Sequence, residues 1–334
     1  GPARFFSACA NEGDLADALD FAHAHGLQVH ILGGGSNTIF RDEGYAGLVA
    51  HLTLGGIDWR DTGDGVEATV GAGVDWDKFV AQAVARGFSG VECLSGIPGT
   101  AGATPIQNVG AYGQEVADTL IKVTCLNRAS RTRVELRAVD CGFGYRTSRF
   151  KQADRERFIV LAVTLRLSRS GPREIRYPEL ERSVRHAGGL GGRSAPEGLA
   201  LVRDVVLSLR AGKAMVLDAT DPNTRSAGSF FTNPVLTRAA FDAFAKRAES
   251  LQIGGTIPSF PADGGFKVPA AWLVEQAGFT KGQRSGGVGI SARHALALVN
   301  YDGTSAELLA FATAIERAVA ERFGIRLERE PVVA

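Results

Sequence analysis

Residues 92–116 read ECLSGIPGTAGATPIQNVGAYGQEV, and no other stretch of the chain constrains its fold as strongly. The density of Gly and Pro is incompatible with a helix, and the side chains are mostly small or uncharged. A connection of this length inside a domain has to be ordered. Ser95, Thr100, Thr104, Gln107 and Asn108 place donors and acceptors at short intervals, and the glycines let backbone amides approach a flat or phosphorylated ligand. Composition alone leaves a purely structural Ω-loop open.

A second glycine cluster points the same way. VHILGGGSNTIFRDEGYAGLVAHL, residues 29–52, carries a short apolar run directly into Gly33-Gly34-Gly35-Ser36-Asn37. Two phosphate motifs do not fit here. A P-loop ends in Gly-Lys-Ser/Thr, and the dinucleotide fingerprint needs a third glycine where Thr38 stands. Thr38 to Leu52 alternates as strand and turn, with no helix to supply a dipole. By itself the run reads equally as a hairpin turn or as an anion cradle of backbone amides.

The whole chain sets the limits within which these loops act. Its 334 residues are 45% hydrophobic and 22% charged, enough for two or three globular domains. A net charge of +1 without basic blocks gives a nucleic-acid or membrane-surface role no electrostatic support. No apolar stretch spans a bilayer and no signal peptide is visible. Cys9, Cys93, Cys125 and Cys141 lack CxxC spacing, which argues against zinc and against a disulfide framework and for reduced thiols in the cytoplasm. No metal site is expected.

Periodicity supplies the elements. Residues 14–26 read as a helix with apolar positions at 15, 18, 19 and 22 and a stop at Gly26. Strands are expected at 29–32, 65–73, 120–126 and 158–167, and an amphipathic helix from Val74 to Gly87. Residues 188–198, GGLGGRSAPEG, read as a loop, followed by a helix whose last turn carries Arg210 and Lys213. Beyond Gly228, helices are expected near 236–250, 270–277 and 304–323, with a strand at 295–299. No internal repeat is present.

Five motifs in order then resemble one family: GGGSN, LSGIPGTAGATPIQNVGAYGQEV, FGYRTSRFK at 143–151, GSFFTNP at 228–234 and AAWLVEQAGFTKG at 270–282. The chain resembles the UDP-N-acetylenolpyruvoylglucosamine reductases nearly throughout. That resemblance implies an α+β protein: an FAD-binding fold of the vanillyl-alcohol-oxidase type, built of two α/β subdomains, plus a C-terminal α+β substrate domain. It places the first subdomain at 1–52 with the tail 324–334, the second at 53–205, and the substrate domain at 206–323.

Further implications of the resemblance are specific. Non-covalent FAD is expected on Gly33, Gly34, Gly35, Ser36 and Asn37, and on Ser95, Gly96, Ile97, Pro98, Gly99, Thr100, Ala103, Thr104, Gln107, Asn108, Gly110, Ala111 and Tyr112. NADPH is the expected hydride donor and an enolpyruvyl UDP-sugar the expected substrate. Arg146 matches the arginine on the substrate carboxylate, Ser229 the proton donor, and Glu330, the second acid of Glu328-Arg329-Glu330, the catalytic glutamate. Tyr177 matches the tyrosine that closes over the diphosphate, and Lys213, Asn233, Lys281 and His294 the contacts to the sugar nucleotide. His294 stands where a relative carries glutamine and could change charge near neutral pH. No nucleic acid, membrane or obligate protein partner is implied, and a cytoplasmic monomer is expected.

Two departures accompany the resemblance. Gly1 to Phe6 resembles the end of a run that opens family members, so the first strand is expected to be missing, and the chain stops just after Glu330. The rival reading is another flavin oxidoreductase of the same fold, acting on an alcohol or sugar. Such enzymes often attach the flavin through a histidine, which neither glycine-rich loop contains.

Overall fold

Asn11 ends the first strand, Ala3–Cys9, and starts the first helix. Its side chain accepts a hydrogen bond from Asp14 N at 2.9 Å, so the helix spans Glu12–Ala24 and begins before Asp14, where periodicity placed it. The buried residues are Leu15, Ala18, Leu19 and Ala22, the four apolar positions expected. They pack on a parallel three-stranded sheet in which Tyr45–Leu52 lies between Ala3–Cys9 and Val29–Leu32.

The computed structural model describes residues 1–334 and divides into two units: Ala3–Gly35 with Tyr45–Gly212, and Gly1–Pro2 with Ser36–Gly44 and Lys213–Ala334. The larger unit holds that parallel sheet and a five-stranded antiparallel one. The spatial order of the second sheet is Arg133–Arg137, Leu120–Asn127, Phe158–Ser168, Gly65–Gly71, Ile57–Asp61. Val66, Ala68 and Val70 alternate inward onto Trp76, Phe79, Val80 and Ala83 of the helix Trp76–Ala85. The long strand Phe158–Ser168 feeds two cores because a bulge between Val160 and Ala162 exchanges its faces. Ile159 and Leu161 join the parallel-sheet core, and Val163, Leu165 and Leu167 join the other.

The loop expected at 188–198 is shorter than expected. Helix Ala195–Gly212 starts inside it because Glu197 Oε2 accepts from both N and Oγ of Ser194, at 2.8 and 2.7 Å. Pro178–His186 is an additional helix that packs Leu180 and Val184 against Val202, Val205 and Val206.

In the smaller unit the sheet order is Ser226–Ser229, Ala297–Asn300, Val288–Ile290, Arg284–Ser285. Helix Ser305–Phe323 covers it with Phe311, Ile315 and Val319; Thr304 and Glu307 form its capping box and Gly324, at φ 71°, ends it. Helix Arg238–Ser250 starts two residues later than expected, at the Thr237 cap. Strand Ala297–Asn300 likewise starts later, because a turn joins Ala297 N to His294 O.

Candidate active site

Gly33 follows the carboxyl end of strand Val29–Leu32, where parallel sheets usually meet their ligands. A Cβ on Gly33 would lie 2.7 Å from Thr100 Oγ1, and one on Gly34 would lie 2.7 Å from Gly99 Cα. Gly35 takes φ +71° and Gly99 φ +111°. The two glycine-rich loops therefore touch backbone to backbone at Gly34 and Gly99, which only glycine permits there, whereas Gly33 faces the Thr100 hydroxyl.

Residues 72–77 clamp the second loop along its length. Ala72 O and Val74 O accept from Gly102 N and Ala101 N, and Trp76 N donates to Gly99 O. Trp76 Nε1 donates to Leu94 O at 3.3 Å, and Asp77 Oδ1 accepts from Gly96 N at 2.6 Å. Asp77 is also gripped by the Arg203 fork at 2.7 and 2.9 Å. Burial alone would raise the Asp77 carboxyl, but Arg203 and the Gly96 amide outweigh it and hold it below its usual range.

Several polar side chains of the loop are turned into the protein. Ser95 Oγ donates to Glu92 O at 2.6 Å and Thr104 Oγ1 to Ala101 O at 2.7 Å, and both residues are buried. Ile97, Val109 and Ala111 pack against the core of the antiparallel sheet, whereas Ala103 is exposed and Pro98, Gln107 and Gly110 are half-buried. The loop thus faces outward mainly with backbone and small groups.

Arg146 sits at the corner of a tight turn. Gly144 and Thr147 exchange both backbone hydrogen bonds, at 3.2 and 3.3 Å, around Tyr145-Arg146. Arg146 is half-buried with φ 53°, a left-handed conformation that an arginine adopts only when its surroundings enforce it. Its Nη2 donates to Gly110 O at 2.7 Å, and Ser148 Oγ donates to Ile106 O at 2.6 Å, so the turn is fastened to the glycine-rich loop. Asn108 and Tyr112 share the left-handed conformation, at φ 48° and 49°.

Tyr177 caps helix Pro178–His186 and is 40% exposed. Its ring meets that of Tyr112 edge-on, with centroids 5.3 Å apart. Burial pushes the Tyr112 hydroxyl up to about 12.

Ser229 and Glu330 belong to the smaller unit and are held one residue apart. Ser229 ends the strand that pairs with Ala297–Asn300; Phe230 N donates to Leu296 O at 2.8 Å and Glu330 N to Phe230 O at 2.9 Å. Phe230 and Phe231 are buried in the core beneath. The tail alternates Ile325 and Leu327 inward with Glu328 outward, and Arg329 clasps Glu316 at 2.6 and 2.9 Å. Glu330 is therefore half-buried while Glu328 is exposed. Asn37 joins the same arrangement, its Nδ2 donating to Glu330 O at 3.2 Å and its carbonyl accepting from Val332 N at 2.9 Å.

The remaining residues of this unit differ in setting. Asn233 Oδ1 accepts from Ala270 N at 2.8 Å and so caps helix Ala270–Gln276. Leu296 N donates to His294 Nδ1 at 3.0 Å, which makes Nδ1 an acceptor and assigns the ring hydrogen to Nε2. Lys213 and Ser36 are half-buried and Lys281 is exposed.

Comparison with known proteins matches this division. Residues 221–334 fit the family profile described as UDP-N-acetylenolpyruvoylglucosamine reductase, C-terminal domain, and residues 3–136 fit the one described as FAD binding domain. A UDP-N-acetylenolpyruvoylglucosamine reductase of Thermobifida fusca is 50% identical over 339 residues, covering 100% of this chain and 93% of the relative. The chain belongs to the UDP-N-acetylenolpyruvoylglucosamine reductase family. Another member, from Streptomyces coelicolor, is 44% identical over 99% of this chain and 85% of its own. The crystal structure of the family's Thermus caldophilus member superposes with a TM-score of 0.63 at 24% identity, covering 98% of this chain and 91% of that one. The fold is the family's α+β architecture with a vanillyl-alcohol-oxidase-type FAD-binding part.

The residues that hold the site were less visible than those that form it. Asp77, Arg203 and Glu115 did not stand out in the sequence. Two aspartates flanking Trp76 at a helix start were the available signal for the first, since only one of them, Asp75, is needed as the cap.

Proposed function

We propose that this chain reduces the enolpyruvyl group of UDP-N-acetylglucosamine enolpyruvate to give UDP-N-acetylmuramate, with FAD as cofactor and NADPH as hydride donor, in peptidoglycan precursor synthesis. The observation that carries the structural side of this reading is the contact of Gly33 and Gly34 with Gly99 and Thr100, where no Cβ fits. A glycine-lined seam of this kind suits a pyrophosphate approached by amides from both loops, and it does so without a helix terminus. Gly33 to Asn37 and the loop from Ser95 to Tyr112 are read as the FAD site.

When bound, FAD supplies the hydride that NADPH delivers to it. The chain's own residues handle charge and protons. Arg146 is read as the guanidinium on the substrate carboxylate; it stays charged throughout and its fork matches two oxygens. Ser229 donates the proton to the carbon next to the one that receives hydride. An unassisted hydroxyl is a weak acid, so this role requires a basic carbanion and surroundings that tolerate the alkoxide. Glu330, anchored at Phe230 O, is read as the acid that hydrogen-bonds the developing enolate.

Tyr177, Lys213, Asn233, Lys281 and His294 are read as the contacts to the sugar nucleotide. We read residues 1–52 with 324–334 and residues 53–205 as the FAD-binding subdomains, and 206–323 as the substrate domain. A cytoplasmic monomer that uses neither nucleic acid nor a membrane completes the reading; no helix is long and apolar enough to cross a membrane.

Single-turnover kinetics of Ser229→Ala tests the assignment. Flavin reduction by NADPH should stay close to the parent rate while reoxidation by the enolpyruvyl substrate falls by about 10²–10⁴-fold. Equal loss in both half-reactions would refute Ser229 as the proton donor.

A further inference from the structure

Glu115 lies next to Arg146 in space, yet it has no task among the catalytic and binding roles assigned to the chain. A Cβ on Gly110 would be 2.8 Å from Glu115 Cγ and 3.3 Å from Arg146 Nη1, so the acid's stem and the guanidinium share one side of Gly110. Gly110 is also the residue whose carbonyl accepts from Arg146 Nη2 at 2.7 Å.

Between Glu115 and the Arg146 turn stands Asn108, 1% exposed. Its Nδ2 donates to Glu115 Oε2 at 2.6 Å and to Gly144 O at 3.2 Å, and its Oδ1 accepts from Ala117 N at 3.0 Å. Turning the amide over would set its oxygen against a carboxylate and its NH₂ against a backbone N–H. The carboxylate, which makes the shortest of the three bonds, therefore joins Gly144 O and Ala117 N–H in fixing which way the amide points. The amide in turn fixes Gly144, the first residue of the turn whose corner is Arg146. Arg146 is left-handed, a conformation that an arginine keeps only where neighbours over-determine it, and Asn108 beside it is of a residue type that adopts the same conformation readily.

We propose that Glu115, acting through Asn108, is a positioning residue for Arg146. This rests on the reading of Arg146 as the carboxylate-binding group. The acid needs no contact with substrate; it holds the turn so that the guanidinium is already aimed when substrate arrives. A displacement of about 1 Å at a reacting group can cost on the order of 10²-fold in rate, which sets the size of the effect.

The test is stopped-flow comparison of the two half-reactions in the FAD-loaded chain. Glu115→Ala should lower substrate-driven reoxidation by about 10²-fold relative to NADPH-driven reduction. Glu115→Gln keeps an oxygen for Asn108 Nδ2 and should restore most of that loss. A parallel fall in both half-reactions, an unchanged ratio, loss of FAD, or failure of Gln to rescue would each overturn the proposal. Should Glu115→Ala not fold, Glu115→Met, which keeps the length of the side chain without its oxygens, replaces it with the same outcomes. Arg146→Ala separates the two claims. If it leaves reoxidation untouched, the role of Arg146 itself is wrong. If it slows reoxidation and Glu115→Ala does not, only the positioning role falls.

Discussion

Gly34 shows how much of the site is decided by an absent methyl group. A Cβ there would press on Gly99 Cα at 2.7 Å, and the obstacle is backbone rather than a movable side chain. Overpacking of this sort costs about 1–3 kcal/mol, so Gly34→Ala should weaken FAD binding about tenfold or more. Gly191→Ala, where a Cβ meets nothing within 4 Å, is the control. Titrating apoprotein with FAD and following its absorbance gives both affinities, and equal values for the two variants would contradict the cradle. The glycine cluster was legible in the sequence because five residues without helix propensity follow a strand-like run. Its partner was not legible from the residues alone, since Gly99 lies far along the chain and nothing local ties it to Gly34. Glu330 illustrates the same limit. The sequence offered two acids and only family resemblance chose between them; both are tied by backbone bonds to the Phe230–Thr232 segment, and they differ in that Glu330 is half-buried and Glu328 exposed.

At the scale of elements, the start of helix Trp76–Ala85 organises the glycine-rich loop through Asp77 and its Arg203 partner. The Asp77 carboxyl is held below its ordinary value when folded. It therefore binds its proton less readily in the folded than in the unfolded chain. Its stabilisation is fully present above the unfolded carboxyl's value near 4 and is lost as pH falls through the lower folded value. Asp77→Asn should accordingly be less stable than the parent at pH 7, with the two Tm values converging as pH drops below about 4. Parallel Tm profiles across that range would show that Asp77 contributes no proton-linked stability. Elements with a strong period were legible: the positions 15, 18, 19 and 22 became the buried face of the first helix. Pro178–His186 escaped because one turn fewer of apolar residues, Leu180 and Val184, leaves little period to detect. The start of helix Ala195–Gly212 was written in Ser194-x-x-Glu197 but hidden among glycines and a proline.

For the whole molecule, the residues read as catalytic fall in both units. Arg146 and the glycine-rich loop lie in the one containing Ala3–Gly35, and Ser229 and Glu330 in the one containing Lys213–Ala334. A mixture of strands and helices was legible from the sequence, because β-branched runs bounded by Gly and Pro repeat along the first half, but how the strands divide into sheets was not. The run Gly33 to Asn37 is divided between the units after Gly35, a feature that no local pattern announces. Family membership and the glycine-lined seam together make one claim central: this chain holds a flavin that passes hydride from NADPH to an enolpyruvyl sugar nucleotide. The most direct measurement is the visible spectrum of the purified, FAD-loaded chain through one cycle. The expected result is a yellow protein that NADPH bleaches under anaerobic conditions and that UDP-N-acetylglucosamine enolpyruvate recolours. A chain that retains no flavin, or one that NADPH bleaches but the enolpyruvyl substrate leaves colourless, would contradict it.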